Sequence, residues 1–193
     1  MAEADAKVFL WINSWAGHFP LLDEMAKLVV SDYLIPAVFA LILLGMWFGG
    51  VEPSNRERHQ KAVFVATSAL GIANLVISII NSFYFRPRPF VNYEVNLLFY
   101  QPTDSGFPAN PMAVTFAIAA ALWGVNRKLG TILFLLATLF ALARVYAGVF
   151  YPLDVIAGAA IGIVMAYLMS RLRVLLEPLP TMVIKLARIF CLA

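Results

Sequence analysis

Apolar runs separated by short polar joints fill the chain from residue 33 onward. Five of them approach the roughly 20 residues that cross a hydrocarbon core of about 30 Å as a helix. They cover 33–49, 62–82, 111–125, 129–147 and 153–170. The third is short and must tilt or begin within the headgroup layer. Ahead of them, 4–15 and 21–30 are too short or too polar to span. Trp11 and Trp15 mark them as interfacial helices or, together, as a re-entrant or sixth membrane element. After the fifth run, Glu177-Pro178 and Pro180 break the chain before an apolar stretch that carries Lys185 and Arg188 and reads as a surface-lying helix within 177–193. The expected fold is all-α: a polytopic membrane bundle of five to six helices, with interfacial N-terminal helices in 1–31 and a five-span core in 33–170. No repeat, low-complexity tract or linker divides it, so 1–193 reads as one integral membrane domain.

Composition agrees with a bilayer as solvent. Of 193 residues 62% are hydrophobic and only 13% charged, with a mean hydropathy of +0.84, more apolar surface than one soluble core hides. The net charge of +3 comes from short basic clusters between apolar runs, the pattern of membrane topology rather than of a nucleic-acid surface. The single cysteine, Cys191, excludes an internal disulfide and a multi-cysteine zinc site. Residues 1–7 are partly acidic and no cleavage site follows a short apolar core, so no removable signal peptide is expected.

Basic residues orient the spans. Arg56, Arg58 and Lys61 precede the second run, Arg127 and Lys128 lie between the third and fourth, and Arg171 and Arg173 follow the fifth. Alternating spans put all three clusters on one face, which the orientation rule makes cytoplasmic. The opposite face receives the loop 83–110 and the turn 148–152. Arg86, Arg88 and Arg144 fall there, on the side expected to be poor in arginine, and their charge calls for negative compensation.

Each of these residues has a structural reading. Arg144 at a span end suits a headgroup anchor. Asp154, two residues after Pro152, suits the positive end of a helix dipole. Arg86-Pro87-Arg88-Pro89 suits a stiff extended loop, and Pro108 and Pro111 bracket a helix start. None of these readings accounts for the intervals among them: Asn81-x6-Arg88-Pro89, then Pro108-Ala109-Asn110-Pro111, then Ala143-Arg144-x5-Phe150-x3-Asp154.

In order and spacing these three elements resemble the signature of the type 2 phosphatidic acid phosphatase superfamily, K-x6-R-P, P-S-G-H and S-R-x5-H-x3-D. The stretches 17–23 and 148–158 also resemble bacterial undecaprenyl-pyrophosphate and phosphatidylglycerophosphate phosphatases. The resemblance covers nearly the whole chain and implies a lipid-phosphate site on the extracytoplasmic side of a bacterial cytoplasmic membrane, with no cofactor or metal. It implies that the third-motif histidine attacks phosphorus, oriented by the aspartate, that the second-motif histidine protonates the leaving group, and that lysine, arginines and serine hold the phosphate.

Here Phe150 stands at the nucleophile position and Pro111 at the acid position, and neither side chain can attack or carry a proton. Asn81 replaces the lysine, Ala109 the serine and Asn110 the glycine; Arg88, Arg144 and Asp154 match. Losing a nucleophile costs on the order of 10⁴ to 10⁶ in rate. The expectation is a catalytically degenerate, phosphatase-like protein binding a phospholipid or polyprenyl phosphate. Arg88, Arg144, Asn81 and Asn110 would hold the phosphate, and Asp154 would orient Arg144 or Arg88. Two alternatives stay open: an accessory subunit with a membrane-protein partner, to which the small residues Gly158 to Gly162 would give close helix approach, and a residual lipid phosphatase using non-family groups such as His18 or Asp154. His59 falls in a cytoplasmic joint.

Overall fold

The apolar runs fold into helices, and no strand occurs among the described residues, which are 2–49, 53–175, 177 and 181–184 of a computed structural model. The helices are α1 (Ala2–Asn13), α2 (Pro20–Val30), α3 (Leu34–Phe48), α4 (Pro53–Phe83), the single turn α5 (Pro89–Asn92), α6 (Asn110–Trp123), α7 (Arg127–Tyr146) and α8 (Pro152–Leu175). Pro20, Pro89, Pro111 and Pro152 lie in first turns, where a missing N–H costs nothing and the fixed φ suits the helix. The start of α7 is capped by Asn126, whose side chain accepts from the Leu129 N–H at 3.1 Å.

Among the described residues α4, α7 and α8 are each long and apolar enough to cross a membrane alone. The pair α2 and α3 qualifies together but bends by 48° at its break, and α6 is a shorter apolar helix. At 31 residues α4 extends to about 46 Å at 1.5 Å per residue. Its excess over the bilayer core carries Arg56, Arg58 and Lys61.

The short α6 is the centre of the bundle, packed against α4, α7 and α8. It buries Met112, Ala113, Thr115, Ala117, Ile118, Ala119, Ala121 and Leu122. Small residues permit this: a Cβ on Gly158 would overlap the Ala109 carbonyl, and one on Gly162 the Ala113 carbonyl. The small-residue stripe of α8 is therefore occupied within the chain.

The N-terminal helices are bound into one end of the bundle. Phe9 of α1 is fully buried, edge to face with Tyr151 at 5.4 Å. Both ends of α2 are tied to the last turn of α7: Asp23 accepts from the Tyr146 hydroxyl at 2.7 Å, and Asp32, just past α2, pairs with Arg144. At the opposite end Arg58 donates to the Val125 carbonyl at 2.9 Å and Lys61 pairs with Glu177. One helical turn covers 181–184, with Ile184 buried. The rest of the expected tail helix, with Lys185 and Arg188, lies outside the described residues.

Candidate functional site

The site end is built by the loop between α4 and α6. Pro87 and Pro89 hold Arg88 extended at φ −73°, ψ 161°. The Gly106 N–H donates to the Arg86 carbonyl at 2.9 Å and the Arg86 N–H to the Ser105 hydroxyl at 3.2 Å. Gly106 makes this approach close: a Cβ there would lie 3.3 Å from both Arg88 Cγ and Asp154 Oδ2, and these side chains would have to give by a few tenths of an ångström. Farther along the loop, the Asn13 amide donates to the Asn96 and Tyr146 carbonyls at 3.0 and 2.8 Å and accepts from the Asn96 N–H at 2.9 Å. That anchor sets Phe99 and Tyr100 beside Arg144.

Arg88 is buried, and each of its three nitrogens donates one hydrogen bond, which leaves one N–H on each Nη. Nη2 donates to Asp104 Oδ1 at 2.8 Å, Nε to the Asp104 carbonyl at 3.2 Å and Nη1 to the Val149 carbonyl at 3.4 Å. Burial holds its guanidinium below the usual arginine value against the pull of Asp104, and the nearby charge of Arg144 adds to the lowering. It remains cationic at physiological pH.

Arg144, also buried, donates from Nη2 to Asp32 and lies over Phe140 and Phe99, 4.8 and 5.0 Å from their centroids. Its Nε is buried with no acceptor, an unmet donor of the kind native structures rarely leave. Tyr100 donates its hydroxyl to the other Asp32 oxygen at 2.6 Å, and that bond raises the phenol above its usual value.

Asp154, fully buried, corrects one expectation. Its partner is Arg86, not Arg88 or Arg144. The extended Arg-Pro-Arg-Pro run lays Arg86 against the starts of α1 and α8 and leaves Arg88 for Asp104 and the α7–α8 turn. Arg86 also binds Asp5 at 2.7 Å, and Asp154 accepts the Tyr151 N–H at 3.2 Å. Burial opposes the charge on Arg86, but Asp5 and Asp154 outweigh it and raise the guanidinium above its usual value.

The remaining positions are less concentrated. Phe150 lies beneath Arg88, with the guanidinium 4.2 Å from its ring centroid. Pro111 is in the first turn of α6, and Asn110, exposed, opens that helix. Asn81, near the end of α4, has a buried Oδ1 without a partner. No hydrogen bond joins Asn81 or Asn110 to Arg88 or Arg144 among the described residues. His18 is exposed in the α1–α2 turn, and His59 lies near the start of α4, at the other end from α5.

Sequence reasoning missed Asp5, Asp32 and Asp104. The available signal was the excess of arginine on this face, which required anions; the chain itself supplies four, counting Asp154. Nothing in their spacing identifies them, because they come from α1, the α2–α3 break and a loop.

The family profile described as the PAP2 superfamily matches residues 62–176. The chain belongs to the PAP2 superfamily. It is similar to undecaprenyl-diphosphatase BcrC of Bacillus subtilis (strain 168), 32% identical over 181 residues, covering 93% of this chain and 90% of that protein. It is also similar to the putative undecaprenyl-diphosphatase YbjG of Escherichia coli (strain K12), 28% identical over 166 residues, covering 85% and 80%. The crystal structure of Aquifex aeolicus LpxE superposes with a TM-score of 0.66 at 30% identity, covering 86% of this chain and 93% of that one. A PAP2-type phosphatidylglycerolphosphate phosphatase from Bacillus subtilis shares the fold, with a TM-score of 0.61 at 20% identity over 88% and 83%. PAP2 membership and the apolar helices together make this an integral membrane protein of lipid-phosphatase type.

Proposed function

We propose that this PAP2 protein holds a phospholipid or polyprenyl-phosphate headgroup between Arg88 and Arg144, on the extracytoplasmic side, and does not hydrolyse it by the superfamily's phosphohistidine route. The observation that carries this reading is the buried Arg144 guanidinium with an unmet Nε donor, within the field of a second buried arginine. A phosphate oxygen is the acceptor such a fork fits. Relatives named undecaprenyl-diphosphatase support a lipid phosphate as the ligand class.

The chemistry is argued from Phe150 and Pro111. A phenyl ring has no lone pair with which to attack phosphorus, and proline carries no side-chain proton for a leaving group. Asp154 is committed to Arg86. Asn110 and the amide nitrogen of Asn81 would add neutral donors; the orphan atom of Asn81 is itself an acceptor and gains nothing from phosphate. The accessory-subunit reading loses its main support, because Gly158 and Gly162 face α6.

The test is phosphate release from undecaprenyl pyrophosphate, phosphatidate and phosphatidylglycerophosphate by detergent-purified protein, with native mass spectrometry of the same sample. The expected result is no turnover and a retained phospholipid or polyprenyl phosphate, lost in Arg144→Ala. Turnover abolished by Arg144→Ala would overturn the non-hydrolytic reading, and lipid retention unchanged in that variant would overturn the binding role.

A further inference from the structure

Charge in the site is layered by depth. The Arg88 and Arg144 side chains are 4% and 3% exposed, whereas their partners Asp104 and Asp32 are 70% and 37% exposed. In order of depth the two cations form a floor and the two carboxylates a rim nearer the surface, and the four formal charges cancel. A phosphate or pyrophosphate bearing only negative charge meets like charge at the rim before it reaches the arginines, which is selection by repulsion.

Resting on the headgroup reading above, we infer that the preferred ligand is zwitterionic: a phosphate ester carrying a primary ammonium group. Its phosphate lies at the arginine floor and supplies the acceptor that Arg144 Nε lacks. Its ammonium reaches the rim, where a compact cation with three donors meets the Asp104 oxygen that Arg88 leaves and the negative field of Asp32. Asp104 suits the role because Arg88 Nη2 takes only Oδ1. Asp32 is held in place by Arg144 and Tyr100 on its two oxygens, so it contributes field more than free lone pairs. Rim aspartates thus determine specificity without touching the phosphate.

The experiment is calorimetric titration of the full-length detergent-purified protein with dihexanoyl phosphatidylethanolamine and with dihexanoyl phosphatidate. The unmodified protein is expected to bind the ethanolamine lipid more tightly. Asp104→Asn should weaken that binding roughly two- to fivefold, the range of a solvent-exposed charge pair, and should tighten phosphatidate. Asp32→Asn should move both affinities in the same directions, which guards against a fold defect peculiar to one variant. Tighter binding of phosphatidate by the unmodified protein, or Asp104→Asn tightening both lipids, overturns the zwitterion and leaves headgroup binding intact. Binding of neither lipid overturns this inference and the phospholipid part of the headgroup reading, and leaves only the polyprenyl phosphate.

Discussion

The guanidinium of Arg88 lies over the ring of Phe150, 4.2 Å from its centroid. An aromatic face thus supports the arginine at the position where the superfamily signature has its nucleophile, and Phe150 is buried to 1% exposure. Phe150→Ala is expected to destabilise the protein by about 3–5 kcal/mol, the range for a large-to-small core change. Phe150→Leu keeps most of the apolar volume and should lose mainly the cation–π part, about 0.5–2 kcal/mol. Thermal unfolding in detergent measures both. An alanine variant that melts with the parent would show that the ring contributes nothing to stability.

Arg86 holds two buried carboxylates, Asp5 and Asp154, that come from opposite ends of the sequence. Arg86→Ala leaves both without a counter-charge, a change that costs about 3–5 kcal/mol for a buried pair. Removing Asp154 as well should restore part of that loss, because the uncompensated charge is gone. A double-mutant cycle on unfolding free energy gives the coupling. Strictly additive single-variant effects would contradict the pairing.

The helices were legible because bilayer thickness imposes a length on apolar runs, so all five expected runs recur as α3, α4, α6, α7 and α8; most ends shift by a few residues, but α4 begins at Pro53 rather than 62, because its first turns are polar and lie outside the apolar run. The break between α2 and α3 was legible as the joint between 21–30 and 33–49, but its 48° angle was not; Asp23 and Asp32, on either side of the end of α2, are held by Tyr146 and Arg144 of α7, contacts that no local pattern announces. Motif spacing singled out Arg88, Arg144 and Asp154, but not which aspartate meets which arginine. Those partners come from loops and from α1, where no periodicity marks a side chain's direction.

Gly158 and Gly162 allow α8 to touch the backbone of α6, and Ala109, which Gly158 contacts, donates its N–H to the Asp154 carbonyl at 3.0 Å. Gly158→Ala forces backbone apart and should cost about 1–3 kcal/mol, as overpacking does, while also weakening headgroup retention. Gly71→Ala is the control, since a Cβ there meets nothing within 4 Å; it should be neutral or stabilise by about 0.5–1 kcal/mol through helix propensity. Thermal unfolding and lipid retention on the same preparations separate the two. Equal behaviour of both variants would refute the close crossing.

Orientation in the membrane follows from the unequal ends of the bundle. At one end Arg127 and Lys128 are exposed, beside the Arg58 contact with Val125 and the Lys61 pair with Glu177. At the other, Arg86, Arg88 and Arg144 are each bound to aspartate. Short joints rich in lysine and arginine are retained in the cytoplasm, so the first end is expected inside and the arginine site outside. In a Cys191→Ser background, Thr103→Cys, exposed in the site loop, should react with a membrane-impermeant maleimide in intact cells. Lys128→Cys should react only after permeabilisation. The reverse pattern would place the arginine floor in contact with the cytoplasm, and the headgroups it meets would then be those of the inner leaflet.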